Sequence, residues 1–548
     1  MAVRPAGSGS GAQGAALSCR RNPLRADPGG RSRRRRRRGG TPGTGAGADR
    51  SRPPGGGPAG EGRDRGDSPA LGDDRARAGA GREEVTAQGP TGRNGEREAG
   101  LRKLFGTDGI RGTAGSPPLD RSTIYRLGRA LAASLREEGR PARVCLGQDT
   151  RESSDWIAAE LARGVRDGGG EAVSAGVLPT PGLALVTRSC GFDAGLMISA
   201  SHNPYRDNGV KVFDAAGSKL PDEKEAWLEK LMEGMPEPPS AAAEDVPVEP
   251  GLRERYLRHL DACRGSVSFE GLTVVLDTAN GAATAVAPEA FRRAGAEVVT
   301  LADAPDGRNI NAGCGSLHPE AMAQAVTSNS AAIGFAFDGD ADRCIAASAS
   351  GAVLDGDFTL FYAGCALRER GALPHDTVVA TVMSNLGLEL ALQQEGISLR
   401  RTAVGDRYVL EEMRRGGYAL GGEQSGHVIF MEHAPTGDGI QTAILLCRLW
   451  LSGAEDPEIA RSRLPRFPQV LRSVPVAEKP EIEGHPVIGP AVAAAERELG
   501  REGRVLVRYS GTEPKARVMV EGKDQRQVTR IADDLAELFR TTLGSGGG

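Results

Sequence analysis

The sequence predicts an α/β protein of several domains: three related α/β domains, then a small α+β domain, behind a disordered N-terminal tail. Three observations predict it. A strand–helix–strand pattern occurs three times, its starts spaced roughly a domain length apart. The segment after residue 471 instead reads strand, loop, strand, helix. Residues 1–100 are rich in Gly, Arg, Pro, Ala and Ser and almost empty of large apolar side chains. Such a segment buries too little surface to offset its ordering entropy. A chain of 548 residues exceeds one core and suggests roughly three to five domains. The boundaries read as 1–100, 101–262, 263–370, 371–465 and 466–548.

The tail carries an unbroken cationic run, Arg33 to Arg38. An RNA-binding arm would look like this, but so does a solvated low-complexity tail, which is the reading preferred here. A further reading places the native start near Leu101, where globular texture begins; N-terminal sequencing of the native protein decides it. Net charge is −3, so no global basic field points to nucleic acid. The eight cysteines are scattered without a Cys-x-x-Cys pair, as in a reducing compartment. No apolar run approaches the ~20 residues that span a bilayer. The expected localisation is cytoplasmic.

From residue 101 the elements follow in order. Leu104 to Gly112 is a glycine-rich loop in which Arg111 is placed to meet a phosphate. A strand over 143–146, a helix over 154–166 and a strand over 171–175 make the first unit. Strands over 195–198 and 210–213 follow, flanking the turn Ser199-Ala-Ser-His-Asn-Pro204. Residues 235–250 read as a loop or linker, and 252–264 as a helix. The pattern recurs as strand 272–277, helix 285–294 and strand 297–301, then as strand 377–383, helix 386–395 and strand 399–404. The last domain has strands over 504–508 and 516–521 and a helix over 525–543.

Four loops carry candidate chemistry. Ser201 stands in a turn at a strand end, where scaffolds present catalytic groups. Asp338, Asp340 and Asp342 alternate after an apolar strand over 332–336. Carboxylates this close repel one another unless a cation neutralises them, and all-oxygen ligation suits Mg²⁺. Arg343 follows directly. Glu423, Gln424, Ser425 and His427 lie on a glycine-rich loop equipped to read sugar hydroxyls or an amine. Arg508, Ser510, Gly511, Thr512 and Arg517 make a phosphate cradle of two guanidiniums, two hydroxyls and loop amides. Each loop alone has a bland reading as a turn. One reaction needs all four: phosphoryl transfer on a phosphorylated sugar.

These four motifs, in this order between Leu101 and Leu543, resemble those of the α-D-phosphohexomutase family. The resemblance implies four domains around a central cleft, the last similar to the TATA-box-binding-protein fold. It implies that Ser201 carries a phosphate, with one Mg²⁺ bridging Ser201, Asp338, Asp340 and Asp342. Lys103 to Gly112, Gln424, Gly405 to Val409 and Thr436 to Ile440 look like the glucosamine-type branch. That branch implies isomerisation of glucosamine 6-phosphate to glucosamine 1-phosphate through a hexosamine 1,6-bisphosphate, feeding UDP-N-acetylglucosamine and cell-wall precursor synthesis. The alternative is phosphomannomutase/phosphoglucomutase activity on the same scaffold. A serine-dependent metallophosphatase is a more distant alternative. Lys211, His202 and Arg111 are candidates for proton transfer or its electrostatic support, and the sequence leaves the choice among them open. The expected partner is a small sugar phosphate, with no membrane and no nucleic acid; the resemblance makes a homodimer an expectation.

Overall fold

Four sheets follow one another along the chain in the computed structural model, which describes residues 104–106, 108–510 and 514–544. The expected tail 1–100 with its arginine run, and Gly511 and Thr512, lie outside the described residues. The first sheet has strands β1 (Phe105–Gly106), β2 (Gly109–Thr113), β3 (Arg143–Gln148), β4 (Glu171–Val177), β5 (Ala194–Ile198) and β6 (Asp207–Asp214), in the order β1-β2-β6-β5-β3-β4. β3 pairs parallel with β4 and β5, and β5 pairs antiparallel with β6. The second sheet has β7 (Thr273–Asp277), β8 (Glu297–Leu301), β9 (Ile333–Phe337), β10 (Cys344–Ser348) and β11 (Val353–Leu354), ordered β11-β10-β9-β7-β8. The third has β12 (Thr377–Thr381), β13 (Ser398–Thr402), β14 (Leu420–Gly422) and β15 (Val428–Phe430), ordered β13-β12-β14-β15.

The three sheets share one plan. A central strand pairs parallel with two others, and one of these then forms an antiparallel hairpin: β5–β6, β9–β10 and β14–β15. The expected kinship of the three domains therefore rests on topology. The fourth sheet, β16 (Gln469–Pro475), β17 (Gly503–Tyr509) and β18 (Lys515–Gly522), is wholly antiparallel, ordered β16-β18-β17. The helices Ile488–Leu499 and Gln525–Leu543 contribute to its core, making the expected α+β domain.

β5 reads Ala-Gly-Leu-Met-Ile without alternation because both its faces are covered. Leu196 and Ile198 pack with the helices Arg121–Glu137 and Ser154–Asp167. Met197 joins Cys145 and Phe213 in a core shared with the helices Thr180–Ser189 and Pro250–Arg264. That core runs without a break through the second and third sheets, taking in Phe291, Phe335, Val378 and Ile440. The three hairpins thus hang from one continuous apolar body.

Several expected elements differ in extent. The helix expected over 285–294 is a 3-10 turn, Ala282–Ala285, followed by the helix Ala287–Arg293, with Pro288 in its first turn. The strand expected over 399–404 ends at Thr402, because Gly405, at φ +134°, turns the chain into the helix Asp406–Gly416. Among the described residues, no helix is long and apolar enough to cross a membrane.

Candidate active site

The β5–β6 turn carries Ser201 at φ +52°, a left-handed conformation uncommon for a residue with a Cβ. Arg151 holds it there. Its side chain is fully buried and paired with the equally buried Asp149 at 2.9 Å. One NH2 group donates to the carbonyls of Ser201 (2.9 Å) and Asn203 (2.8 Å), and NH1 to those of Pro204 and Asp207. Asp149 in turn accepts from Ser199 Oγ (2.6 Å) and Ser154 Oγ (3.1 Å). Burial pushes the Asp149 carboxyl up, against the pull of Arg151. Sequence reasoning missed this pair. The available signal was Asp149-Thr-Arg151 just beyond β3, a neighbour of β5 whose C-terminal end shares its edge of the sheet.

The β9–β10 turn carries the three aspartates, all buried, with one oxygen from each within 4.8 Å of the others. Asp338 Oδ2 accepts from Ser201 Oγ at 2.6 Å. Asp340 Oδ2 accepts from Lys211 Nζ at 2.8 Å and Thr180 Oγ1 at 2.6 Å. Asp340 Oδ1 and Asp342 Oδ1 are buried without a hydrogen-bond partner. Burial, then Asp342 and Asp340, drive the Asp338 carboxyl well above its ordinary range. Orphaned oxygens and a carboxylate forced toward neutrality are what a hard divalent cation relieves, so these residues fit one. The two turns touch directly: a Cβ at Gly339 would stand 2.5 Å from Ser201 O, an approach only glycine permits.

Around this pair the cations gather. Lys211 is buried on β6, opposed by desolvation but held charged by Asp108, Asp340 and Asp342. Arg111 pairs with Asp108. His202 Nδ1 lies 3.3 Å from Ser201 Oγ and 3.2 Å from Arg343 NH1. Burial, with Arg343 and Arg111, depresses its pKa to about 4, so the ring is neutral at pH 7. Asp108 also pairs with Lys219, which reaches Asp406 of the third domain at 2.7 Å. A cavity of about 290 Å³, lined by Asp108, Lys211, Lys219, Asp406 and His427 among others, opens there between the first and third sheets. Asp108, Lys219 and Asp406 were not among the candidates, because their pairing is made only by folding.

The β14–β15 turn carries the expected sugar-reading residues. Ser425 is exposed at its tip and donates to Glu423 at 3.3 Å, and Gln424 Nε2 stands 3.5 Å from Asp355 Oδ2. His427 lies deeper. Gly437 N donates to its Nε2 at 3.1 Å, and its Nδ1 faces Asp342 Oδ2 at 3.6 Å. It therefore couples this turn to the aspartates. Gly356 backs the turn so closely that a Cβ there would meet Glu423 O at 2.0 Å.

In the fourth sheet Arg508 and Arg517 stand directly opposite on β17 and β18. Burial and Arg517 depress the Arg508 guanidinium. Like charges opposed across a ladder are unfavourable, and an anion between them reverses the sign. Ser510 is buried at the end of β17, its carbonyl accepting from Lys479 Nζ at 2.6 Å. This sheet is tied to the third through Asn385, Glu521 and Arg504. The structure thus gathers Ser201, His202, Lys211, Arg111, Arg343, the aspartates and His427 into one centre. Glu423, Gln424 and Ser425 stand on the adjoining turn, and Arg508, Ser510 and Arg517 on a hairpin of their own.

Comparison with known proteins follows the same partition. Domain families described as phosphoglucomutase/phosphomannomutase alpha/beta/alpha domains I, II and III and C-terminal domain match residues 102–238, 254–351, 355–466 and 471–538. The phosphoglucosamine mutase of Symbiobacterium thermophilum is 48% identical over 447 residues, covering 80% of this chain and 99% of that one. That of Solibacter usitatus is 48% identical over 442 residues, with coverage of 80% and 99%. A phosphoglucomutase/phosphomannomutase family crystal structure from Burkholderia thailandensis superposes with a TM-score of 0.65 at 23% identity, covering 80% of this chain and 97% of that one. Aspergillus fumigatus N-acetylphosphoglucosamine mutase, in complex with GlcNAc-6P and magnesium, superposes with a TM-score of 0.58 at 18% identity, over 81% and 96% of the two chains.

Proposed function

This chain belongs to the phosphoglucomutase/phosphomannomutase family, and from that premise we propose that it interconverts glucosamine 6-phosphate and glucosamine 1-phosphate. The observation that carries the reading is the 2.6 Å approach of Ser201 Oγ to Asp338 within the buried aspartate trio. Relatives at 46–48% identity bear the name phosphoglucosamine mutase, which favours glucosamine phosphates over the mannose and glucose phosphates of the alternative.

Ser201 is the phosphoryl carrier. Its P–Oγ bond breaks as a bond forms to O1 of glucosamine 6-phosphate, giving the 1,6-bisphosphate and leaving the serine oxygen with the proton that O1 gives up. The bisphosphate reorients, its 6-phosphoryl group returns to Oγ, and glucosamine 1-phosphate leaves. Asp338, Asp340 and Asp342 would hold a Mg²⁺, which supplies charge neutralisation at the transferring group when bound. Arg343 and Arg111 add positive charge beside it. Lys211, held charged beside Asp340, is the candidate to donate a proton to the leaving serine oxygen and then to take up the one that O1 gives up. Neutral His202, accepting from Arg343, orients that guanidinium. Glu423, Gln424 and Ser425 read the sugar, with His427 fixing their turn to Asp342. Arg508, Ser510, Gly511, Thr512 and Arg517 bind the phosphate that is not reacting. A cytoplasmic homodimer is the working state of the reading.

Intact mass with and without Ser201→Ala, beside isomerisation assays on glucosamine, mannose and glucose phosphates, tests it. One phosphate adduct in the wild type, absent from the variant together with most turnover, is the expected result. Preference for an uncharged hexose overturns the substrate assignment, and net phosphate release without isomer exchange overturns the mutase.

A further inference from the structure

We propose that Asn311 is a positioning residue for Ser201, acting across the boundary between the first and second sheets. The inference rests on the phosphoryl-carrier role of Ser201 and deepens it. Asn311 follows β8, far along the chain from the serine turn. Its Nδ2 donates to Ser201 O at 2.9 Å and to Asn203 O at 3.1 Å. Its own backbone is pinned: Asn311 N donates to Ala279 O at 3.0 Å, on the loop after β7. It sits at φ +58°, a conformation asparagine adopts more readily than most residues. The Ser201 carbonyl is thus held from two sides, by Arg151 from its own domain and by Asn311 from the next.

The arrangement answers a geometric need. Ser201 belongs to one hairpin and the aspartates to another, so the reacting distance is set between domains. Arg151 alone fixes the serine turn only within its own sheet. Asn311 ties the turn to the body that carries the aspartates, and Gly339 leaves room for the contact, with its Cβ position 2.9 Å from Asn311 Nδ2. Among the described residues, Asn311 Nδ2 donates to the serine turn and not to the aspartate carboxylates or the sugar-reading turn, so its effect is on alignment.

Asn311→Ala and Asn311→Asp test the proposal; the second keeps the size but offers the two carbonyls no N–H. A displacement of ~1 Å at a reacting centre lowers rate by about 100-fold, so kcat is expected to fall about 10- to 100-fold, more for the aspartate variant. KM is expected to stay within about twofold, because no sugar contact is lost. Hydrogen exchange is expected to quicken in the 199–206 turn and nowhere else. A kcat per folded molecule that matches wild type, with unchanged exchange in that turn, overturns the inference. So does exchange that quickens throughout the protein, which marks a merely structural role. A wild type inactive on all three hexose phosphates overturns the proposed function instead, and the exchange measurement then decides the positioning role alone.

Discussion

Replacing Arg151 by Met removes the guanidinium while keeping a stem of similar length. Two losses follow. Asp149, fully buried, is left without its ionic partner, and breaking a buried pair from one side costs about 3–5 kcal/mol. That is roughly two to three and a half decades in the folded-to-unfolded ratio. The turn carbonyls of Ser201, Asn203, Pro204 and Asp207 also lose their Arg151 donors, and Asn311 remains as a donor to those of Ser201 and Asn203. The pH dependence has a definite sign. The Asp149 carboxyl is raised by burial even beside Arg151, and without that cation it rises further. A group with a raised folded pKa adds stability below its unfolded pKa, near 4, and loses it as pH climbs toward the folded value. Arg151→Met is therefore expected to be most destabilised at pH 8 and partly recovered near pH 5. Adding Asp149→Asn removes the buried charge and is expected to regain much of the loss at pH 8. Urea unfolding followed by tryptophan fluorescence, to which Trp156 on the helix Ser154–Asp167 of the same domain contributes, reads all three. A variant within ~1 kcal/mol of wild type at pH 8 refutes the reasoning. So does a destabilisation equal at pH 5 and pH 8, or a double variant no better than the single.

Other outcomes follow from the same geometry. Chelation of divalent cations is expected to abolish isomerisation and added Mg²⁺ to restore it, with Asp340→Asn losing the restoration; turnover that survives chelation refutes the cation site. His202, with its pKa held to about 4, is expected to show no NMR titration between pH 5.5 and 8, its charge appearing only below that window. Gly356→Ala drives a methyl into Glu423 O, and KM for the sugar phosphate is expected to rise at least ~10-fold while the phosphate content of Ser201 is unchanged. Tyr256→Phe leaves the buried Asp438 without its phenol donor. Asp438 caps the helix Gly439–Leu451, whose first N–H donates to Ala341 O in the aspartate turn at 3.0 Å. The Mg²⁺ concentration for half-maximal activity is expected to rise, with a stability loss of about 1–3 kcal/mol.

The candidate side chains for the proposed chemistry were legible in the chain alone, because their signal is local. Three carboxylates alternating after an apolar strand repel wherever the strand goes, Ser201 and Glu423 stand in turns that Gly, Pro and Asn mark, and Arg508 lies on a strand that runs into one. The α/β repeats were legible too, since strand and helix periodicities are properties of short windows. Their common plan was not: that Ser201, the aspartates and Glu423 occupy the same hairpin of three like sheets depends on strand order, which no window contains.

What only the tertiary structure decided is everything that joins distant segments. Arg151 and Asn311 meeting on one carbonyl, Lys219 bridging Asp108 and Asp406, and His427 facing Asp342 are contacts between residues separated by up to 187 positions along the chain. Each of these residues is unremarkable by composition and has many bland readings. Their roles arise because burial removes water as a partner, so a buried charge or donor is stabilised by another group within the protein, and which one it finds is set by how the sheets pack.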